Sequence, residues 1–178
     1  PSKEPSKEPS KEPSKEPSLD HPCAPICFPA NTPIQTDQGI VPIDALDKKK
    51  HTIGNKPILE ITKTVSDDPY LVCFKKHALG RNSPRHRTVM SKEHRVLYKG
   101  AMVEADNFVE RFDRVKKIPY TGEILYNVLM ETHNTMKVNN LVCETLHPAT
   151  YLALKLCNDA EPKPYKLFKK AMDCLNIQ

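Results

Sequence analysis

The spacing of short extended runs is the feature that most constrains the fold of this chain. From Thr32 to Thr145, apolar and polar residues alternate in short runs, and turn residues separate these runs at intervals of about ten residues. Such spacing is typical of an all-β domain. The predicted extended runs are residues 32–36, 40–43, 57–65, 70–74, 88–91, 95–98, 115–120, 123–131 and 136–144.

Turn residues place the hairpins within this pattern. Asp37-Gln-Gly39 reads as a tight turn, and Lys99-Gly100 closes a hairpin of the strands that flank Lys92-Glu93. Asn139-Asn140 fits a turn that needs positive φ, which asparagine tolerates. Residues 101–111 fit either a short helix or a strand followed by a turn.

The two terminal segments differ from this central part. Residues 1–18 are four Pro-Ser-Lys-Glu repeats and a final Pro-Ser; proline prevents helix and ladder formation, and the charges keep the segment in water. We therefore expect a disordered linker over residues 1–22 and a folded domain over residues 23–146. In the extension 147–178, apolar residues at helical spacing predict two short helices, over 148–156 and 165–175.

The composition disfavours several classes of partner. The net charge is +5 with bases interspersed among acids, and we interpret Lys48-Lys49-Lys50 as a solvated loop. Tryptophan is absent, which disfavours a stacking platform for single-stranded nucleic acid, and no apolar run approaches the ~18 residues of a membrane span. We therefore expect a monomer with no nucleic-acid or membrane partner. Because the chain begins with Pro1, we expect it to belong to a longer polypeptide.

The six cysteines do not form a zinc or disulfide pattern. No pair of Cys-x-x-Cys motifs occurs, and the cysteines are too sparse for a disulfide scaffold. Cys73-x-x-x-His77 and a cluster of His21, Cys23 and Cys27 stay open as metal ligands, but each lacks a second half. We expect free thiols, a reducing compartment, and no metal or other cofactor.

Cys27 gains interest from its position at the start of the folded domain. A thiol there can attack the carbonyl carbon of Ile26 through a five-membered ring and convert the peptide bond into a thioester. The reaction requires a polarised amide and a proton donor for the leaving nitrogen. A lone cysteine is more often inert, so partners are needed to support this interpretation.

The segment around Ser91 and His94 offers such partners. A hydroxyl three residues before an imidazole, where a strand meets a turn, can place both groups on one amide. The alternative is a turn that only satisfies its own backbone groups.

Three ordered blocks resemble the Hint superfamily, which comprises inteins, hedgehog autoprocessing domains and bacterial intein-like modules. Cys27-Phe-Pro-Ala-Asn-Thr32-Pro-Ile, with the hairpin that follows, resembles the opening block. Met90-Ser-Lys-Glu-His94-Arg-Val-Leu97 is similar to the second block, Thr-x-x-His, with serine in place of threonine. Tyr126-Asn-Val-Leu-Met-Glu-Thr-His133-Asn-Thr-Met-Lys-Val-Asn139 resembles the late block.

This resemblance implies a horseshoe-shaped all-β fold with pseudo-twofold symmetry. It implies Cys27 as the nucleophile, with Ser91 and His94 polarising and protonating the Ile26–Cys27 amide. The substrate is then the upstream polypeptide in cis, and water or another nucleophile accepts the acyl group. His133, which in inteins helps the carboxy-terminal step, keeps either that role or only a structural one.

The departures from the family pattern narrow the expected reaction. Inteins end in His-Asn, whose asparagine cyclises, whereas Glu144-Thr145 stand there in this chain. We therefore predict cleavage or acyl transfer at Ile26–Cys27 without full splicing. Ile26 replaces the glycine of hedgehog proteins, and its β-branched acyl group slows attack on the thioester. Cys143 either accepts the acyl group or packs in the core.

No match to the aspartate with which hedgehog domains activate sterol, or to a sterol-recognition region, is found. The alternative to self-processing is a catalytically silent Hint-like domain that binds or attaches a partner on an extended stalk. The helical extension and the chain's ending resemble Hint modules of large DNA viruses, which implies a host-cytoplasmic or virion location.

Overall fold

The computed structural model describes residues 26–150, which form an all-β domain with two single-turn 3-10 helices, Ile43–Ala45 and Ala105–Phe108. The strands are β1 Phe28–Pro29, β2 Pro33–Thr36, β3 Gly39–Pro42, β4 Thr52–Ile53, β5 Lys56–Thr64, β6 Tyr70–Phe74, β7 Thr88–Met90, β8 Arg95–Tyr98, β9 Ala101–Glu104, β10 Val115–Pro119, β11 Leu125–Met130, β12 Thr135–Val138 and β13 Leu141–Glu144. The fold class and nearly every predicted strand are confirmed.

The strands form three antiparallel sheets, in the orders β1-β11-β5-β4, β10-β6-β7 and β3-β2-β12-β13-β8-β9. Several neighbours are far apart in sequence: β1 pairs with β11, β2 with β12, and β8 with β13. These long-range pairings bring the two ends of the domain together, because each ties an early strand to a late one.

The predicted hairpin around Lys99-Gly100 exists but joins different strands from those expected. Its arms are β8 and β9, whereas β7 lies in another sheet, so the strands that flank Lys92-Glu93 do not pair. The open choice for residues 101–111 resolves into strand β9 followed by the 3-10 turn at Ala105–Phe108. The turn at Asn139-Asn140 has positive φ at both residues, 49° and 72°, as predicted.

Two apolar clusters form the core. The larger one contains an aromatic group in which the rings of Phe74 and Tyr98 lie 5.5 Å and 5.6 Å from the ring of Phe108 in edge-to-face geometry. The smaller cluster consists of Cys27, Leu71, Cys73, Val89 and Leu125. Cys27 thus packs at the meeting point of the first strand and the sheet that carries β7.

The entry and exit of the domain lie side by side on one edge of β11. Phe28 lies opposite Tyr126, and Leu146 forms a parallel bridge with Leu129 and donates a hydrogen bond to the carbonyl of Val128 at 2.9 Å. Because β5 occupies the other edge of β11, both terminal segments share the same edge. The late block therefore returns to a position beside Cys27.

Some predictions fall outside the described residues. The linker 1–22 does so entirely, and of the helix predicted for 148–156 only residues 148–150, which are helical, are described. The second predicted helix, 165–175, also lies outside. Among residues 26–150, no helix is long and apolar enough to cross a membrane.

Replacement of Phe108 by alanine should destabilise the domain strongly. The side chain is fully buried and contacts three aromatic rings, so its truncation should cost about 3–5 kcal/mol of unfolding free energy. Urea denaturation of the full chain measures this loss. Ile40→Ala is the control, because Ile40 is 65 % exposed and its loss should cost less than about 0.5 kcal/mol. Equal losses in both variants would contradict the assigned core.

Candidate active site

Cys27 and Ser91 bind each other through two reciprocal hydrogen bonds. The backbone N–H of Cys27 donates to Ser91 Oγ at 2.8 Å, and the backbone N–H of Ser91 donates to the carbonyl of Cys27 at 2.9 Å. Both residues are buried. Ser91 directly follows β7, whose buried residues pack beside β1. The fold therefore places the Ser91 hydroxyl next to the amide of Cys27, although the two residues are 64 positions apart in sequence.

Asn127 holds the other side of the same peptide group. Its side-chain Nδ2 donates a hydrogen bond to the carbonyl oxygen of Ile26. Its Oδ1 accepts a hydrogen bond from the backbone N–H of Val128 at 2.7 Å, which fixes the amide with its NH₂ towards Ile26. Asn127 is completely buried, so this orientation is held inside the protein rather than in solvent.

Buried side chains therefore form hydrogen bonds to both polar atoms of the peptide group between Ile26 and Cys27. The Ser91 side chain comes from the end of β7, and the Asn127 side chain comes from the middle of β11. Sequence reasoning identified Ser91 but missed Asn127. The available signal was the position of a lone amide within the otherwise apolar run Leu125–Met130, since a buried polar residue in a core strand needs a partner.

His94 lies against this peptide group in a neutral state. The ring is fully buried and its centroid is 4.2 Å from that of Phe28. Burial lowers the pKa of His94 to about 4, although backbone contacts with Glu144 and Cys27 act in the opposite direction. At pH 7 the imidazole is therefore uncharged.

The hydrogen bonds of His94 select one tautomer. Nε2 lies 2.9 Å from the carbonyl oxygen of Glu144, and a carbonyl only accepts, so Nε2 carries the proton. Nδ1 then has a free lone pair; it is buried and has no hydrogen-bond partner among the described residues. A buried, unpartnered base close to the Cys27 backbone is an arrangement that a purely structural histidine does not need.

The thiol of Cys27 is held in its protonated form. Burial raises the pKa of this thiol well above its ordinary value. The site therefore contains no preformed thiolate, and any nucleophilic attack by Sγ requires a base that removes the proton as the attack proceeds.

The other described cysteines have packing environments. Cys143 is buried in the larger core cluster opposite Val96, not in the cluster that contains Cys27, and burial raises its thiol pKa. Cys73 is buried in the smaller cluster, whereas His77 uses its Nδ1 to accept a hydrogen bond from Asn82. Within residues 26–150, no three His, Cys, Asp or Glu side chains are grouped as metal ligands.

His133 lies on the carboxy-terminal side of the site. Its Nε2 is 3.1 Å from Glu144 Oε2, and its ring is 5.1 Å from that of His147. The other oxygen of Glu144 accepts from the backbone N–H of Arg95 at 3.1 Å. Burial raises the pKa of Glu144, while Arg95 and His133 oppose that change. Glu144 therefore links the two histidines: its side chain forms a hydrogen bond with His133, and its backbone carbonyl accepts one from His94.

Thr145, on the carboxy-terminal side of the site, forms hydrogen bonds with the backbone of Asn134. Its hydroxyl accepts from the backbone N–H of Asn134 at 2.9 Å, and its own N–H donates to the carbonyl of Asn134 at 2.8 Å. Both Glu144 and Thr145 are buried. Neither side chain is an amide, so neither can cyclise onto the backbone as the terminal asparagine of an intein does.

Comparisons with known proteins find one family model and several solved structures that are similar to this chain. The Hint domain family model matches residues 26–150. A DnaB intein from Synechocystis sp. PCC 6803 is similar in structure, with a TM-score of 0.46 and 11 % identity over 68 % of this chain and 99 % of the intein. The Ssp DnaB mini-intein variant M86 has a TM-score of 0.45 and 14 % identity over 68 % and 96 %. No curated protein matches the chain.

The stability of the domain should fall on mild acidification because of His94. The folded pKa of about 4 lies below the ordinary 6.5, so the unfolded chain binds more protons between these values. The stability that neutral His94 contributes is complete above about pH 6.5 and is lost towards pH 4. From pH 7 to 5 this loss is about 2 kcal/mol.

Urea denaturation of Cys27→Ala and of Cys27→Ala/His94→Gln, each at pH 7 and at pH 5, measures the loss of unfolding free energy that His94 causes. The double variant should lose about 2 kcal/mol less than the single variant between pH 7 and 5. An equal loss in both variants would show that His94 does not carry a depressed pKa.

Proposed function

The chain belongs to the Hint domain family, and on that premise we propose that it is a self-processing domain that cuts the peptide bond between Ile26 and Cys27. The observation that carries this proposal is that Ser91 and Asn127 form hydrogen bonds to the two polar atoms of that peptide group. The cut separates the segment that ends at Ile26 from the domain that begins at Cys27.

In the first step, Sγ of Cys27 attacks the carbonyl carbon of Ile26. An S–C bond forms, and the thiol proton passes to Nδ1 of His94, whose lone pair is free. The carbonyl oxygen gains negative charge, and the Nδ2 donor of Asn127 stabilises it from a fixed position. A buried donor is effective here because little water competes for the oxyanion.

In the second step, the C–N bond breaks and the nitrogen of Cys27 leaves. His94 returns its proton from Nδ1 to that nitrogen, and Ser91 holds the N–H in place meanwhile. The low pKa of His94 helps this return, since a buried imidazolium is a strong acid. The products are a thioester between Ile26 and Cys27 and a free amino group on Cys27.

Water or another nucleophile then resolves the thioester. Water adds to the acyl carbon, the S–C bond breaks, and Ile26 leaves with a carboxylate while Cys27 recovers its thiol. The reaction ends there, because Glu144 and Thr145 supply no side-chain amide for a second cut. We therefore propose a one-sided cut without splicing. His133, bonded to Glu144 rather than to the scissile peptide, has a structural role in this scheme.

The raised thiol pKa of Cys27 favours a second candidate, a Hint domain that keeps the fold for binding and does no chemistry. In that case the hydrogen bonds of Ser91 and Asn127 only satisfy buried backbone groups. The two candidates differ in a simple observable, the fate of the Ile26–Cys27 bond.

Cys27→Ala should abolish cleavage of a precursor that carries a reporter protein before residue 1. Without Sγ no thioester can form, so neither thiol nor hydroxylamine at pH 7 should release the reporter. Mass spectrometry of the unaltered precursor should find products that end at Ile26 and begin at Cys27. Cys143→Ala is the control, since it removes a buried thiol elsewhere and should still be cut. Equal cleavage in Cys27→Ala, or an intact unaltered precursor, contradicts self-processing.

Asn127→Asp should convert cleavage into an acid-dependent reaction. A carboxylate cannot donate to the oxyanion, so the rate above the aspartate pKa should fall by about 10²–10³. Burial raises the pKa of a carboxyl group at this position, and its protonated form can donate. The rate relative to the unaltered chain should therefore rise as the pH falls from 8 to 5.

Val128→Ala, next on the same strand, controls for loss of stability. Its rate relative to the unaltered chain should not change with pH, because the side chain of Val128 contributes only packing and the substitution leaves its backbone hydrogen bonds in place. A flat ratio for Asn127→Asp as well would remove Asn127 from the mechanism.

A further inference from the structure

The connection between β6 and β7 carries a concentrated positive charge. Residues 75–87, Lys-Lys-His-Ala-Leu-Gly-Arg-Asn-Ser-Pro-Arg-His-Arg, contain five lysine or arginine residues and two histidines, and no acidic residue. We call this segment the basic loop. The net charge of the whole chain hides it, because acids elsewhere offset most of the bases.

The backbone of the basic loop is fixed. Ala78 and Pro84 are buried, and Ala78 belongs to the larger core cluster. Within the loop, the N–H of His77 donates to the carbonyl of Pro84 at 2.9 Å. The loop is also tied to the Asn139-Asn140 turn, since the N–H of Arg85 donates to the carbonyl of Asn139 at 2.9 Å. A partner would therefore not have to order this backbone on binding.

The charges of the loop are uncompensated within the described residues. Its five cationic side chains are exposed and form no salt bridge with any described carboxylate. They are Lys75, Lys76, Arg81, Arg85 and Arg87. Some cations elsewhere are paired, as Lys92 is with Asp68 at 2.7 Å and Lys48 with Glu60 at 3.1 Å. The loop thus concentrates a positive field that an anionic partner would neutralise.

The field continues into a shallow depression beside the loop. Its volume is about 280 Å³, and its lining includes Arg85 and His86 from the loop, Lys137 from β12, and Asn139 from the turn. Cationic and amide groups that converge on a depression of this size suit a phosphate group and its attached sugar.

Against the expectation from composition that the chain has no nucleic-acid partner, we propose that the basic loop and this depression bind the phosphate backbone of a nucleic-acid duplex. Three of the five cations are arginines, whose planar guanidinium groups bind phosphate in a bidentate manner. The loop contains no Phe, Tyr or Trp side chain, the residues that form stacking platforms for unpaired bases, which favours a duplex over a single strand. Its one large apolar side chain, Leu79, packs against the core, so nothing in the loop inserts into a lipid surface.

This surface is separate from the site of cleavage. The loop enters β7 at Thr88, whereas Ser91 follows the opposite end of that strand. The Asn139-Asn140 turn likewise caps the β12–β13 hairpin at the end away from Glu144. The basic loop therefore shares no residue with the Ile26–Cys27 site, and each can be substituted without changing a residue of the other.

Fluorescence anisotropy of a labelled 20-base-pair DNA duplex of arbitrary sequence tests the proposal. The full chain with Cys27→Ala is titrated between 50 and 200 mM salt. Affinity should fall with salt, with a slope of log K against log salt of about −0.9 for each phosphate contacted. The variant Arg81→Gln/Arg85→Gln/Arg87→Gln should bind at least about tenfold more weakly at 50 mM salt, with a slope smaller by about 2–3.

Lys48→Gln/Lys49→Gln/Lys50→Gln is the matched control, because it removes the same charge from another surface. It should keep the affinity and slope of the parent chain to within about a factor of two. An equal loss in both triple variants would mean that only net charge matters, and the proposal would be wrong. It would also be wrong if the duplex does not bind at 50 mM salt, or if polyglutamate or anionic vesicles bind the loop more tightly than the duplex.

Discussion

The docking of β1 onto β11 is the contact on which the rest of this domain depends. It is only two residues long, yet it sets Cys27 between the end of β7 and the middle of β11. Just before this pairing begins, the side-chain amide of Asn127 on β11 donates a hydrogen bond to the carbonyl of Ile26. The same edge of β11 then receives Leu146, so the chain enters and leaves the domain at adjacent points.

Local sequence patterns predicted the strands because alternation and turn chemistry are local properties. Tyr70–Phe74 and Arg95–Tyr98 were predicted to the residue, and the positive φ of Asn139 and Asn140 follows from their side chains. Pairing was harder to predict. The strands on either side of Lys92-Glu93 do not pair, because the short turn that contains Ser91 and His94 takes the chain from one sheet to another. Alternation carries no information about which sheet a strand joins.

Some residues of the candidate site could also be predicted from local sequence, whereas others depend on the tertiary structure. Ser91 and His94 have a recognisable spacing, and the structure brings them to Cys27. The partner of His94 Nε2 is a backbone carbonyl of Glu144, and a carbonyl has no sequence signature. Asn127 carried a faint signal, as a lone amide in an apolar strand, but its function depends on a register that sequence reasoning did not determine.

The thiol of Cys27 and the imidazole of His94 are both buried and both uncharged in the resting site. Burial raises the pKa of Cys27 and lowers that of His94, so neither group is charged at rest, and the resting site avoids the cost of a desolvated ion pair. In the reaction that we propose, this cost arises only during the attack, in which proton transfer and S–C bond formation must occur together. In the proposed mechanism, Asn127 lowers this cost by stabilising the oxyanion from a prearranged position. Because each proton in the proposed reaction moves between neighbours of one peptide group, that reaction would require no separate substrate. Such a design needs no substrate pocket, and Cys27 is accordingly buried rather than open to a cleft.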